Sequence, residues 1–348
     1  MVNDQMRILI IELWGLGDAV IMTAFLQSLP KTGVEVTVLC KPGSAKLLRP
    51  SYPDVNFIEF VAPWTAFRGK YHLWSWPWKK IYSLLNSLRT ERFDVAVSVR
   101  KDPRDALLMW LAGARQRCGI PRAGSQWFLS LPIHQEASSH RVEDWWRLLK
   151  RIMPQDHQSN PPLLHGSSYR NSADPCWPQR STLPLWVIHS GAGQPIRCWP
   201  STHFIALIQS LRSRYAFQLG VIIDADGTGS ELAHLADLTY KPSSIAALVQ
   251  CLDEADLLIA NDSGPGHIAA ALSKPVISIF GSQRPEWFRP YGEHVKVVKL
   301  EPAPSPPRHD SGGEVERRCL VELTDELVFE TIQPFLEKLI TNVERTDA

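Results

Sequence analysis

Short apolar runs alternate with longer amphipathic segments along this chain, and the series occurs twice. Residues 7–13 read as a buried strand. Residues 18–29 read as a helix with Val20, Ile21, Ala24, Phe25 and Leu29 as its apolar positions. Strands follow at 34–39 and 94–99, with helices at 105–112 and 142–153. The second series runs strand 185–189, helix 201–214, strand 219–223, helix 243–252, strand 256–260, helix 265–272 and strand 275–280. A last helix falls at about 324–341. Parallel strands need crossovers of this length, so the pattern predicts α/β architecture with doubly wound, Rossmann-like parallel sheets. No short fixed-period repeat is present, and the two halves read as two copies of one architecture.

The length agrees, since 348 residues exceed what one core usually holds together. A Pro- and Ser-rich stretch at about 154–184 separates the two series. The expected boundaries are a first domain over 1–165, a linker over 166–184 and a second domain over 185–348. A second Pro-rich segment, 302–307, reads as an exposed loop.

The net charge is only +1, which argues against a globally basic nucleic-acid binder. That total hides an asymmetry. Residues 1–165 hold 21 Lys and Arg against 14 Asp and Glu, and residues 166–348 hold 16 against 22. Within the first half, residues 66–122 carry 12 basic and 4 acidic side chains, so this half should attract anions. The same window contains Trp74-Ser75-Trp76-Pro77-Trp78-Lys79-Lys80, part of a high total of 13 Trp. Aromatics beside lysines suit a membrane interface or a sugar-stacking face, and equally suit ordinary packing. Six Cys without a C-x-x-C pair suggest neither a zinc ribbon nor a disulfide framework. The run Ile8–Ile11 is too short for a signal-peptide core, and no stretch reaches about 18 uninterrupted apolar residues. The expectation is a cytoplasmic protein with free thiols.

Three loops following strands can carry chemistry. Leu13-Trp14-Gly15-Leu16-Gly17-Asp18 follows the first strand and leads into a helix. A dinucleotide fingerprint fails there, because Val20 takes the third glycine position and Cys40-Lys41 stand where an acid is needed. Asp18 reads either as a charge complementing the helix macrodipole or as an acid presented to a ligand. Asn261-Asp262-Ser263-Gly264-Pro265-Gly266-His267 also joins a strand end to a helix. That is the composition of a backbone-amide anion site, with Asp262 and Ser263 able to serve merely as caps. His189-Ser190-Gly191-Ala192 is followed by Arg197-Cys198-Trp199-Pro200, whose Arg can clamp a diphosphate or sit idle on the surface. Neither a nucleophile elbow nor a Walker loop nor an H-E-x-x-H site occurs.

Together these loops resemble glycosyltransferase family 9, the ADP-heptose:lipopolysaccharide heptosyltransferases and relatives. The entry motif stands here as Leu16-Gly17-Asp18 through Thr23-Ala24-Phe25-Leu26, the middle loop as His189 to Pro200, and the most specific element as Asn261 through Gly281. That last element includes His267, Ala269, Ala270, Pro275, Phe280 and Gly281. Cys319 to Thr324 is similar to the family's approach to its last helix. The likeness spans about residues 7–340. Ala24 replaces a usual Pro, Arg197 a usual Lys, and Asp224-Ala225-Asp226-Gly227-Thr228-Gly229 departs from a usual Gly-rich stretch.

The resemblance implies the GT-B fold, two Rossmann-like domains facing a cleft, with the last helix able to pack back on the first domain. It implies an inverting, metal-independent transfer without a cofactor. The sugar would be heptose from ADP-heptose, and the acceptor a lipopolysaccharide-core or related saccharide. Asp18 is then the catalytic base, with Trp14, Gly15 and Gly17 on the acceptor side. Ser190, Gly191, Ala192, Arg197, Asp262, Ser263, Gly264, Gly266 and His267 bind the donor. The implied partners are a nucleotide sugar and an anionic, lipid-linked saccharide met at the cytoplasmic face of the inner membrane, with no nucleic acid. The alternatives are another nucleotide sugar or acceptor within the family, or a non-catalytic nucleotide-sugar binding protein. An NAD oxidoreductase is weakened by Val20 and Lys41.

Overall fold

Ile8 to Ile11 are apolar on both faces, and Met6–Glu12 forms β1 inside a parallel sheet with Ile8 to Glu12 fully buried. The protein is described from a computed structural model, over residues 5–65, 72–155, 158–170, 176–177, 179–301 and 313–346. It divides into two compact units, Met1–Leu164 and His165–Ala348.

In the first unit β1 is joined by β2 (Val34–Cys40), β3 (Asn56–Glu59), β4 (Val95–Ser98), β5 (Gln116–Gly119) and β6 (Leu131–Pro132). The order is β3-β2-β1-β4-β5-β6, and Ile8 lies opposite Val36 on one side and Val95 on the other. The helices are α1 (Leu16–Ser28), α2 (Pro42–Leu48), α3 (Trp78–Thr90), α4 (Pro103–Leu111) and α5 (Arg141–Ile152). α1 is apolar on every side rather than amphipathic, because α5 covers the face turned away from the sheet. Phe25 meets Trp145 there edge to face, with ring centroids 5.6 Å apart.

The second unit repeats this plan. Its strands are β7 (Leu185–His189), β8 (Gln218–Ile222), β9 (Leu238–Tyr240), β10 (Leu257–Asn261), β11 (Val276–Phe280) and β12 (Val295–Lys299). The order β12-β11-β10-β7-β8-β9 is the first unit's order renumbered. Around it lie α6 (Ser201–Arg214), α7 (Ile245–Asp253), α8 (Gly264–Ala271), α9 (Pro285–Phe288), α10 (Glu314–Glu322) and α11 (Asp325–Thr346). Two six-stranded parallel sheets with flanking helices make this a GT-B architecture.

Some expectations change. The 166–184 stretch is not a free linker where it is described, because Tyr169, Cys176 and Trp177 are buried. The Trp177 indole donates to the Cys251 carbonyl at 3.0 Å and lies so close to Gly220 that a Cβ there would clash with the ring. The buried face of α11, Val328, Ile332 and Leu336, joins the second unit's core beside Leu207, Ile208 and Leu211 of α6. In the Trp-rich segment Leu73–Ser75 forms a short turn and Trp78 opens α3. Residues 302–307 fall outside the described residues. Tryptophan is partly a core residue here: Trp64, Trp145, Trp177, Trp186 and Trp199 are buried, whereas Trp74, Trp78, Trp110 and Trp127 of the first unit are exposed.

Candidate functional site

In open α/β sheets ligands bind beyond the carboxyl ends of the strands, where the strand order reverses. In the first unit that point is β1/β4, and in the second it is β7/β10.

At the first, five strand ends and helix starts bring together side chains that water would normally surround. β1 ends on Glu12, which is wholly buried. Its Oε1 accepts the Trp14 amide at 2.9 Å. Trp14 is half-buried, with the Arg141 guanidinium 4.0 Å and the Arg100 guanidinium 5.1 Å from its ring centroid. Gly15 is the extended N-cap of α1 and has room for a side chain. Gly17 and Asp18 lie in the first turn of α1. The Asp18 carboxylate is 3.6 Å from Arg141 Nη1, and the Gly15 amide donates to it. Burial nevertheless raises its proton affinity, against the pull of Arg141, Gly15, Arg100 and Lys41. Arg100 follows β4 and pairs at 3.3 Å with Asp105, which also accepts from the Trp64 indole at 3.2 Å. Burial pushes Asp105 up to about 7. Lys41 caps α2 after β2, and its pKa is lowered by burial and then by Arg100. The result is a carboxyl group held among three cations.

The second edge relies more on backbone and neutral groups. Asn261, the last residue of β10, ties the loops together: its amide nitrogen donates to the Ser190 carbonyl at 2.7 Å, and its oxygen accepts the Trp199 amide at 3.1 Å. Ser190 and Ser263 are buried, and their hydroxyls lack a partner among the described residues. Ser263 stands at the N-cap of α8 but makes no capping hydrogen bond. The amides of Gly264, Gly266 and His267 therefore belong to an uncapped helix start, with Pro265 between them contributing no donor. His267 is buried within α8. Arg197 ends a short turn, Pro195–Arg197, and its Nη1 is 3.6 Å from the Asp262 carboxylate. Gly191 presses against Asp224, which also takes the His189 Nε2 at 3.1 Å, so no side chain fits at 191. Ala192 is half-buried in the same loop.

Thus Ser190 to Arg197 and Asp262 to His267 gather at one sheet edge, while Trp14, Gly15, Gly17 and Asp18 gather at the other unit's edge. Sequence reasoning missed Glu12, Lys41, Arg100 and Arg141 as site groups, and it named Asn261 as the start of its loop without the tying role. The available signal was position: each closes a strand, follows one or opens a helix.

Among the described residues no helix is long and apolar enough to cross a membrane. A model of "Glycosyltransferase family 9 (heptosyltransferase)" matches residues 81–314. The Escherichia coli K12 lipopolysaccharide heptosyltransferase 3 is 28% identical over 242 residues, covering 62% of this chain and 67% of that protein. The K12 lipopolysaccharide heptosyltransferase 2 is 26% identical over 275 residues, covering 72% and 78%. In fold, the chain resembles an E. coli heptosyltransferase solved with ADP-2-deoxy-2-fluoro heptose. The TM-score is 0.72 at 17% identity, over 94% of this chain and 99% of that one.

Proposed function

From the premise that this chain belongs to glycosyltransferase family 9, the heptosyltransferase family, we propose that it transfers heptose from ADP-heptose to a saccharide of the lipopolysaccharide core, with inversion and without a metal. The observation that carries the donor side is the uncapped start of α8 beside Arg197, with the hydroxyls of Ser190 and Ser263, partnerless among the described residues, in the loops that Asn261 ties. Backbone amides at a helix N-terminus and a guanidinium are what a departing diphosphate needs. Asp262 would take sugar hydroxyls.

In the first unit Asp18 accepts the proton of the acceptor hydroxyl as its oxygen attacks the anomeric carbon. The bond from that carbon to the diphosphate breaks, and ADP leaves with the electron pair. A carboxylate whose proton affinity is raised is a better base than a solvated one. Lys41, Arg100 and Arg141 suit an anionic acceptor, and Trp14 gives it a ring to lie against.

The test is transfer from a panel of nucleotide sugars to lipopolysaccharide cores truncated at successive sugars, scored by product mass. Heptose transfer from the ADP-linked donor is expected. Transfer only from another donor would overturn the sugar assignment, and binding without turnover would leave a non-catalytic binding protein.

The acceptor is lipid-linked in this reading, which places the protein against the cytoplasmic face of the inner membrane. Trp74 is 86% exposed and Trp78 52%, with Lys79 and Lys80 also exposed between Trp78 and Tyr82 on α3. Such a face suits an anionic bilayer surface. Sedimentation with phosphatidylglycerol vesicles at low salt, lost at high salt, is the expected result.

A further inference from the structure

Neither step above uses the charge of Glu12, the buried last residue of β1. One of its oxygens holds the Trp14 amide at 2.9 Å, and the other is buried with no partner among the described residues. Cations surround it without pairing with it: Arg141 pairs with Asp18 at 3.6 Å, and Arg100 with Asp105 at 3.3 Å. A buried carboxylate with no ion partner and one unsatisfied oxygen is a costly species, whereas a buried carboxylic acid is not.

We propose that Glu12 serves this site as an uncharged carboxylic acid, a positioning residue that fixes the Trp14 turn without adding a further negative charge beside Lys41, Arg100 and Arg141, where an anionic acceptor would lie. The inference rests on the reading of this edge as the acceptor side. The titratable surroundings agree. Burial, and then the Asp18 charge, push Glu12 up to about 8, against Arg100, the Trp14 amide and Arg141. Cys40, opposite Glu12 on β2, is pushed by burial to about 12 and stays a thiol. On α1, Asp18 has the closer cation and the Gly15 amide, so of the two interacting carboxyls it is the one better held as an anion. Asp102 and Asp105 of the α4 start face Arg100 rather than Glu12. Above about pH 8 Glu12 would ionise, and a second negative charge would enter the acceptor's field.

Glu12→Gln is the isosteric test, because its amide oxygen can still accept from Trp14. An acid whose folded pKa is raised from 4.5 to about 8 contributes stability in full below the lower value, and loses it as pH climbs to the upper one. Melting both proteins from pH 5 to 9 should therefore show E12Q gaining steadily on the wild type up to about pH 8. E12D, which keeps an ionisable group, should not show this gain. A constant difference between wild type and E12Q across that range overturns the proposal. In the transfer assay, wild-type kcat/KM for the acceptor should fall about tenfold above pH 8, the order expected of one added charge near the ligand, and E12Q should not fall. An alkaline fall that persists in E12Q overturns the charge role. A wild type that transfers nothing sinks the transferase reading instead, and the melting comparison still decides the state of Glu12.

Discussion

The two units share one strand order, yet their carboxyl edges are built from opposite materials. The first edge is ionisable side chains: Glu12, Asp18, Lys41, Arg100 and Arg141, several of them shifted by burial. The second is amides, hydroxyls and a glycine pressed against Asp224, with Arg197 as its one well-placed cation toward Asp262. The difference teaches that a fold supplies the place and the loops supply the chemistry. In the proposed transfer a proton would move at one edge, which calls for a titratable group. At the other a fixed charge would be cradled, and dipoles that cannot titrate serve that better.

The contrast can be broken most directly at Asp18. Asp18→Asn should lower kcat by about three orders of magnitude, the range of general base catalysis, while the ADP-induced rise in melting temperature stays intact. Near-normal turnover would remove the distinction between the edges. Arg197→Ala should act the other way, costing about a hundredfold, carried in donor KM and kcat, with the acid limb of the pH profile unmoved. Arg197→Lys should recover part of it, since a lysine keeps the charge but not the fork. Unchanged donor kinetics in Arg197→Ala would reject the diphosphate role. Asn261→Ala leaves the Ser190 carbonyl and the Trp199 amide without their partner, so a loss of about 1–3 kcal/mol in denaturant unfolding is expected. The smallest effect should come from Trp74→Ala. At so exposed a site stability should move by under about 0.5 kcal/mol, and only vesicle sedimentation should weaken. A large stability loss there would make Trp74 a packing residue.

The same contrast explains what was legible beforehand. β1, β7, β10 and β11 are buried on both faces, so they read as continuous apolar runs. β3 and β9 lie at sheet edges and alternate or expose their residues, β5 is spelled Gln-Arg-Cys-Gly, and β12 is Val-Lys-Val-Val-Lys, so none offers such a run. The second edge was largely visible in sequence because it is made of contiguous loops, 189–200 and 261–267. The first was not. Glu12, Lys41, Arg100 and Arg141 are scattered across about 130 residues, and only sheet order brings their strand ends together.

The two hydrogen bonds of Asn261 have a further thermodynamic meaning. They couple the end of β10 to both halves of the loop after β7. A cradle already tied in its binding geometry has little freedom left to lose, so association should proceed with a small conformational-entropy penalty. The amides behind those side-chain bonds should exchange with deuterium almost as slowly in the empty protein as in the occupied one.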